Sequence, residues 1–274
     1  MSGAGGWLVR YGILIIVVLI SVAPILWLAM SSLKTNKEIL DSALSLPSSP
    51  SLAGYFEAIT RGNYPLYFMN SLITAGGAVA LSLTIFGLAA YVLARFSFPG
   101  RTVIYSILVS SLLISLIPMI QPISYVVRSL GLYDTHLALI LVFTAKGLPI
   151  TLFVLHSYFR SLPPEIEEAA VIDGANLWRL YWSVAVPMAR PAFASAAVLV
   201  FLDSWNDFLF PLILTQSQGN RVLALGTQFF IQAFAYDYPT LLSAVVLTII
   251  PSVVVYVLLQ GQIQKSLAAG AVKG

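Results

Sequence analysis

A chain of 274 residues with 59% apolar and 9% charged residues lies far from soluble domains, which carry about 25% charged and about 45–50% apolar residues. Its mean hydropathy of +0.91 points to a polytopic membrane protein, and a net charge of +3 calls for no nucleic-acid partner. The lack of cysteine excludes disulfides, thiolate chemistry and cysteine-based metal sites, and two histidines, His136 and His156, make a poor basis for a metal centre.

Six stretches reach the roughly 20 apolar residues a helix needs to cross a bilayer. They are residues 11–32, 71–94, 102–127, 137–159, 191–215 and 240–264. The first is long for a signal-peptide core, has no clear cleavage site and precedes five more, so it is expected to be a retained span. An external segment, 36–70, follows it; its LPSSPS disfavours regular structure. Tyr55, Phe56, Tyr64, Tyr67 and Phe68 there suit an interfacial belt or a docking surface. Span two leads through a tight SFPGR turn into span three, where Pro118 and Pro122 each remove a helical hydrogen bond and allow a kink. Pro149 and Pro251 do the same in spans four and six.

Span four contains Lys146, and span five contains Asp203 and Asp207. A charge at the bilayer centre costs about 2.5–3.5 kcal/mol, so such residues face a partner or a wet cavity. Lys146 is expected to pair with Asp203, or Asp203, Asn206 and Asp207 to line a solute pathway, where carboxylates and amides suit hydroxyl groups. Packing support near the external end of span five is the alternative for Asn206 and Asp207. A second external segment, 216–239, carries aromatic residues between Phe229 and Tyr238. With the N-terminus inside, the cytoplasmic loops hold Arg10, Arg95, Arg101, Arg160, Arg179, Arg190, Lys265 and Lys273, against Lys34, Lys37, Arg61, Arg128 and Arg221 outside. That imbalance predicts cytoplasmic N- and C-termini.

The segment between spans four and five, about 160–190, is unlike the rest. Pro163 and Pro164 suit a first helical turn, and Glu165, Glu167 and Glu168 fall in or near it, where the helix dipole favours negative charge. Gly174 can stop that helix and Asn176 can cap the next. Leu177, Leu180, Tyr181 and Val184 then form an apolar stripe. The pattern is helix, glycine turn, short amphipathic helix; by itself it is also satisfied by an ordered loop on the membrane surface.

The residues themselves say more. Glu168-Ala169-Ala170, Asp173-Gly174-Ala175 and Pro187 resemble the EAA loop of ABC importer permeases. WNDFLFPL at 205–212, AGAVKG at 269–274, Asn70-Ser71 and RFSFPG at 95–100 resemble MalG-like, maltose-type sugar permeases. Lys146 departs from that pattern, where an uncharged residue is expected. The resemblance implies an all-α, polytopic type I ABC importer permease fold: a single domain over 1–274 with six transmembrane helices and a cytoplasmic EAA coupling loop. It also implies that Glu168, Ala169, Asp173 and Gly174 couple the chain to an ATPase, with the glutamate touching that subunit.

No G-x-x-x-x-G-K-[ST] stretch occurs. The chain is therefore expected to be non-catalytic and to hold no cofactor, with ATP and Mg bound by separate ATPase subunits. The implied partners are a second permease chain, two ATPases, an extracytoplasmic solute-binding protein, a sugar and the lipid of a bacterial or archaeal plasma membrane. A relative carrying another solute, such as glycerol phosphate, is the alternative. An ion-coupled secondary transporter is a further one, hinted at by Lys146 with Asp203.

Overall fold

The computed structural model describes residues 4–226, 228 and 236–271, and every regular element among them is helical. In chain order the helices are α1 (Ala4–Ser31), α2 (Asn36–Asp41), α3 (Ala53–Arg61), α4 (Tyr64–Arg95), α5 (Arg101–Ser110), α6 (Ile120–Ser129) and α7 (His136–Ser161). They continue with α8 (Pro164–Ile172), α9 (Leu177–Arg179), α10 (Val186–Met188), α11 (Arg190–Trp205), α12 (Leu209–Leu214) and α13 (Tyr238–Ala271). The aromatic residues expected at the interface between 229 and 235, and positions 272–274 of the glycine-rich tail, lie outside the described residues.

The chain forms two compact units. The first comprises Met1–Pro65 and Gly226–Ile250. Its α1 is exposed on every side from Ile13 to Ile20, as suits a helix whose surroundings are lipid or another apolar surface. A capping box starts α2: Thr35 Oγ1 accepts from the Glu38 N–H at 3.3 Å, and the Glu38 carboxylate accepts from the Thr35 N–H at 2.9 Å. Around α3, Ala58 packs on Ala244, and Gly54 sits where a Cβ would come within 2.9 Å of the Pro239 backbone. The expected aromatic belt is largely turned to other uses. Tyr55 bonds the Ser32 hydroxyl at 2.7 Å and Tyr64 donates to the Leu247 carbonyl at 2.8 Å. Phe56, 69% exposed, alone fits the belt; Tyr67 is buried in the second unit and Phe68 stands edge-on to Trp205.

The second unit comprises Leu66–Leu225 and Pro251–Gly274. Here α7 packs along α11 and α5, and Gly147 lets α4 and α11 close in: a Cβ there would lie 3.0 Å from Val200 and 3.1 Å from Ser82. The core on this side gathers Ala90, Tyr91, Leu152, Phe159, Tyr181 and the alanines 185, 189, 192 and 196. Small residues permit close helix approach where lipid offers no hydrophobic contrast.

Among the described residues, four helical stretches are long and apolar enough to cross a bilayer: Arg10–Ser31, Tyr64–Arg95, His136–Ser161 and Tyr238–Leu258. The stretch expected as span three is instead divided. After α5 comes a single 3-10 turn, Ser111–Leu113, then extended backbone at Ile114, and α6 restarts at Ile120. Each helix has 10 residues, hence is about 15 Å long, half the hydrocarbon thickness. Pro118 lies in the break, where it biases the preceding residue away from helix, and Pro122 falls in the first turn of α6, where its missing N–H costs nothing. The stretch expected as span five is α11 followed by a break at 206–208 and the six-residue α12. Pro149 and Pro251, by contrast, sit inside continuous helices.

Candidate functional site

Two polar constellations interrupt the apolar second unit. The first is the loop between α7 and α11. Pro164 opens α8, with Glu165 and Glu167 in the first turn. Its end is a Schellman motif: the Ala175 N–H donates to the Ala170 carbonyl and the Gly174 N–H to the Val171 carbonyl, both at 3.0 Å. Gly174 holds φ +82°, a left-handed conformation that glycine adopts without penalty. Asn176 then caps α9, accepting from the Arg179 N–H at 2.9 Å. Helix, glycine turn and capped second helix thus stand where the residue pattern put them.

The second helix departs from its pattern. Residues Leu180–Ala185 are wound as a π-helix, and the buried set is Leu180, Tyr181 and Ala185, with Leu177 62% exposed. The wider i→i+5 winding shifts the inward positions off the 3.6-residue stripe. A 78° bend at Ala189 turns this arm into α11.

The three glutamates separate by role. Glu168 is exposed, as are Ala169, Asp173 and Gly174. Glu167 is buried: its Oε1 accepts from Arg95 Nε at 2.8 Å and lies 2.8 Å from Arg95 Nη2, and its Oε2 accepts from the Tyr91 hydroxyl at 3.0 Å. Arg95 also donates to the Leu162 carbonyl at 3.1 Å, just ahead of α8. On the outer side Ile172, Leu177 and Trp178 are 85%, 62% and 65% exposed around the glycine turn. An apolar crest flanked by Glu168 and Asp173 therefore faces outward while Glu167 ties the loop inward.

The second constellation joins α7 to α11. Lys146 Nζ lies 3.0 Å from the Asp203 carboxylate and also bonds Asp207. The expected Lys146–Asp203 pair is thus present, but Asp207 is the more enclosed acid, its side chain 8% exposed against 54% for Asp203. Asp207 Oδ1 also accepts from the Phe210 N–H at 3.0 Å and so caps α12 across the helix break. Asn206 Nδ2 closes the other side of the break on the Leu202 carbonyl at 2.8 Å, and the Ser252 hydroxyl lies 3.4 Å from Asn206 Oδ1. One cation against two carboxylates leaves the group a formal charge of −1. Asp203 and Asn206, exposed and one turn apart, share a face; Asp207 points into the protein.

Residue-type reasoning passed over Arg95, Tyr91 and the inward turn of Glu167. The partners of Glu167 lie 72 and 76 residues away in the chain, beyond the reach of any local pattern. His156, the buried histidine of α7, stacks on Tyr105 at 4.0 Å between ring centroids, a packing role.

Residues 1–268 match the family described as binding-protein-dependent transport system inner membrane component. The chain is 40% identical over 264 residues to the diacetylchitobiose uptake system permease protein NgcG of Streptomyces coelicolor, covering 96% of this chain and 87% of that one. It is 32% identical to the trehalose/maltose transport system permease protein MalG of Thermococcus litoralis, over 95% and 94% of the two chains. Among solved structures it is similar in fold to a bacterial ABC transporter involved in import of the acidic polysaccharide alginate. That match has a TM-score of 0.79 and 23% identity over 93% of this chain and 95% of that one.

Proposed function

The chain belongs to the family of inner membrane components of binding-protein-dependent transport systems, and from that premise we propose that it is the permease half of an ATP-driven sugar importer. Its relatives named for diacetylchitobiose and for trehalose and maltose support a saccharide as solute. In this reading all six apolar stretches cross the membrane, the third and fifth as broken helices, and both termini are cytoplasmic. A second permease chain completes the pathway, two ATPases bind ATP and Mg, and a solute-binding protein delivers the sugar from outside.

The observation that carries the reading is the two-sided coupling loop. Glu168, Ala169, Asp173 and Gly174 face outward with Ile172, Leu177 and Trp178, while Glu167 anchors the same helix inward. Contiguous exposed apolar surface rimmed by charge marks a protein contact. An ATPase cleft accepting this crest biases the permease between its states through contacts that differ between them. On the pathway side, Asp203 and Asn206 offer hydroxyl-binding groups held in place by the Lys146–Asp207 brace. An ionised, half-exposed carboxylate in a span does not face lipid at a cost of about 2.5–3.5 kcal/mol; it faces water or a partner group.

The test is assembly. With the proposed partner subunits co-expressed, the wild-type chain brings down its ATPase, and Glu168→Arg, which reverses the charge beside the crest, loses it while still reaching the membrane. Undiminished ATPase recovery with Glu168→Arg and with Trp178→Ala would remove the crest as the docking surface.

A further inference from the structure

Arg95, Tyr91 and Gly87 stand at i, i+4 and i+8 along the end of α4, hence on one helix face. Both arms of the coupling loop land on that face. The first arm is held by Glu167, both of whose oxygens are taken: Oε1 by Arg95 and Oε2 by Tyr91. The second arm is held by Tyr181. Its ring lies 5.2 Å from the Tyr91 ring, and its hydroxyl lies 2.9 Å from where a Cβ on Gly87 would stand. Phe159, at the end of α7, closes the third side of Tyr91 at 5.3 Å.

We infer that this Gly87–Tyr91–Arg95 stripe is the socket through which the coupling loop drives the membrane helices, with Arg95, Tyr91 and Glu167 as positioning residues. The inference rests on the coupling role proposed above and adds the route: from the loop into the helix that ends at Arg95. The Arg95 and Glu167 side chains are 14% and 12% exposed, so water cannot replace their mutual bonds when the loop is loaded. A displacement of α8 either breaks charge-assisted bonds in an enclosed site or carries the end of α4 with it. Because the ion pair also reaches the Leu162 carbonyl, it holds the approach to α8 as well as the helix itself. The outer residues of α8 are left free for the partner.

The assay is the complete complex in liposomes, scored as solute imported per ATP hydrolysed. Arg95→Gln, Glu167→Gln and Gly87→Ala are each expected to lower that ratio by at least about fivefold, the lower end of typical coupling between sites, with ATP hydrolysis retained. Arg95→Lys, which keeps the charge but not the fork, falls between. A purely structural role changes the yield of complex and leaves the ratio at wild type, and that result overturns the socket. A measurement independent of those variants uses the absence of native cysteine: spin labels at Glu165→Cys and Ser97→Cys report α8 against the end of α4. Their separation should be the same in nucleotide-free and ATP-trapped complexes; a shift between the two states overturns the socket. Wild-type liposomes that import nothing on adding ATP overturn the coupling reading itself.

Discussion

Lys146→Met keeps most of the side chain's length, one atom short, and removes its charge. In the folded chain the Lys146 and Asp207 side chains are 9% and 8% exposed, so the variant strands the Asp207 carboxylate in an enclosed place. Removing one partner of a buried ion pair costs about 3–5 kcal/mol, chiefly the penalty of the orphaned charge. For a chain of this size that corresponds to a fall in Tm on the order of 10 °C. Asp203, half exposed, adds little to the loss because solvent can screen it. Adding Asp207→Asn should restore most of the stability: the amide oxygen still accepts from the Phe210 N–H, and no charge remains to be orphaned. Thermal unfolding of the detergent-purified chain, followed by loss of the monodisperse size-exclusion peak, reads both steps. If Lys146→Met melts with the wild type, or if the double variant melts lower than the single one, the brace is not what holds the helix break.

Three further outcomes are expected. Gly174→Val should uncouple ATP hydrolysis from uptake while leaving membrane insertion intact. The site has open space for a side chain, so the cost is backbone strain of about 1–2 kcal/mol at φ +82°, and normal uptake by the variant would refute the role of the turn. Asp134, at φ +60°, accepts from the backbone N–H groups of Gln216 and Ser217 at 2.9 and 3.1 Å; Asp134→Ala should cost about 1.5–3 kcal/mol in unfolding measurements, and Asp134→Asn clearly less. The Glu38 carboxyl, held by the Ser48 hydroxyl and by the Thr35 and Ser48 N–H groups, is lowered from 4.5 to about 2. A depressed carboxylate stabilises the fold above its unfolded value and loses that contribution as pH falls through its folded one. Exchange protection of the Ser48 amide should therefore persist from neutral pH to about pH 4.5 and fade toward pH 2, and lose that pH dependence in Glu38→Gln, whose amide oxygen can still accept but does not titrate.

The coupling loop was legible because its signals are local. A proline at the first turn, a glycine after the last and an asparagine cap each act within a few residues, and all three stand in the fold as the sequence suggested. The broken third stretch was only half legible: Pro118 and Pro122 announced a disturbance, but apolar composition alone does not distinguish a kinked helix from two separate ones. The inward turn of Glu167 and the choice of Asp207 as the enclosed partner of Lys146 depend on contacts 72 and 61 residues apart, which no local pattern encodes. The π-winding of 180–185, which turns Leu180, Tyr181 and Ala185 into the core, likewise has no counterpart in a helix-period signal.

The central claim, that this chain passes a sugar under the control of a separate ATPase, is tested most directly by uptake of labelled oligosaccharide into liposomes holding the assembled complex. Uptake is expected to require ATP inside and the solute-binding protein outside, and to be indifferent to proton and sodium ionophores. Uptake that proceeds without ATP and collapses with the ion gradient would contradict it.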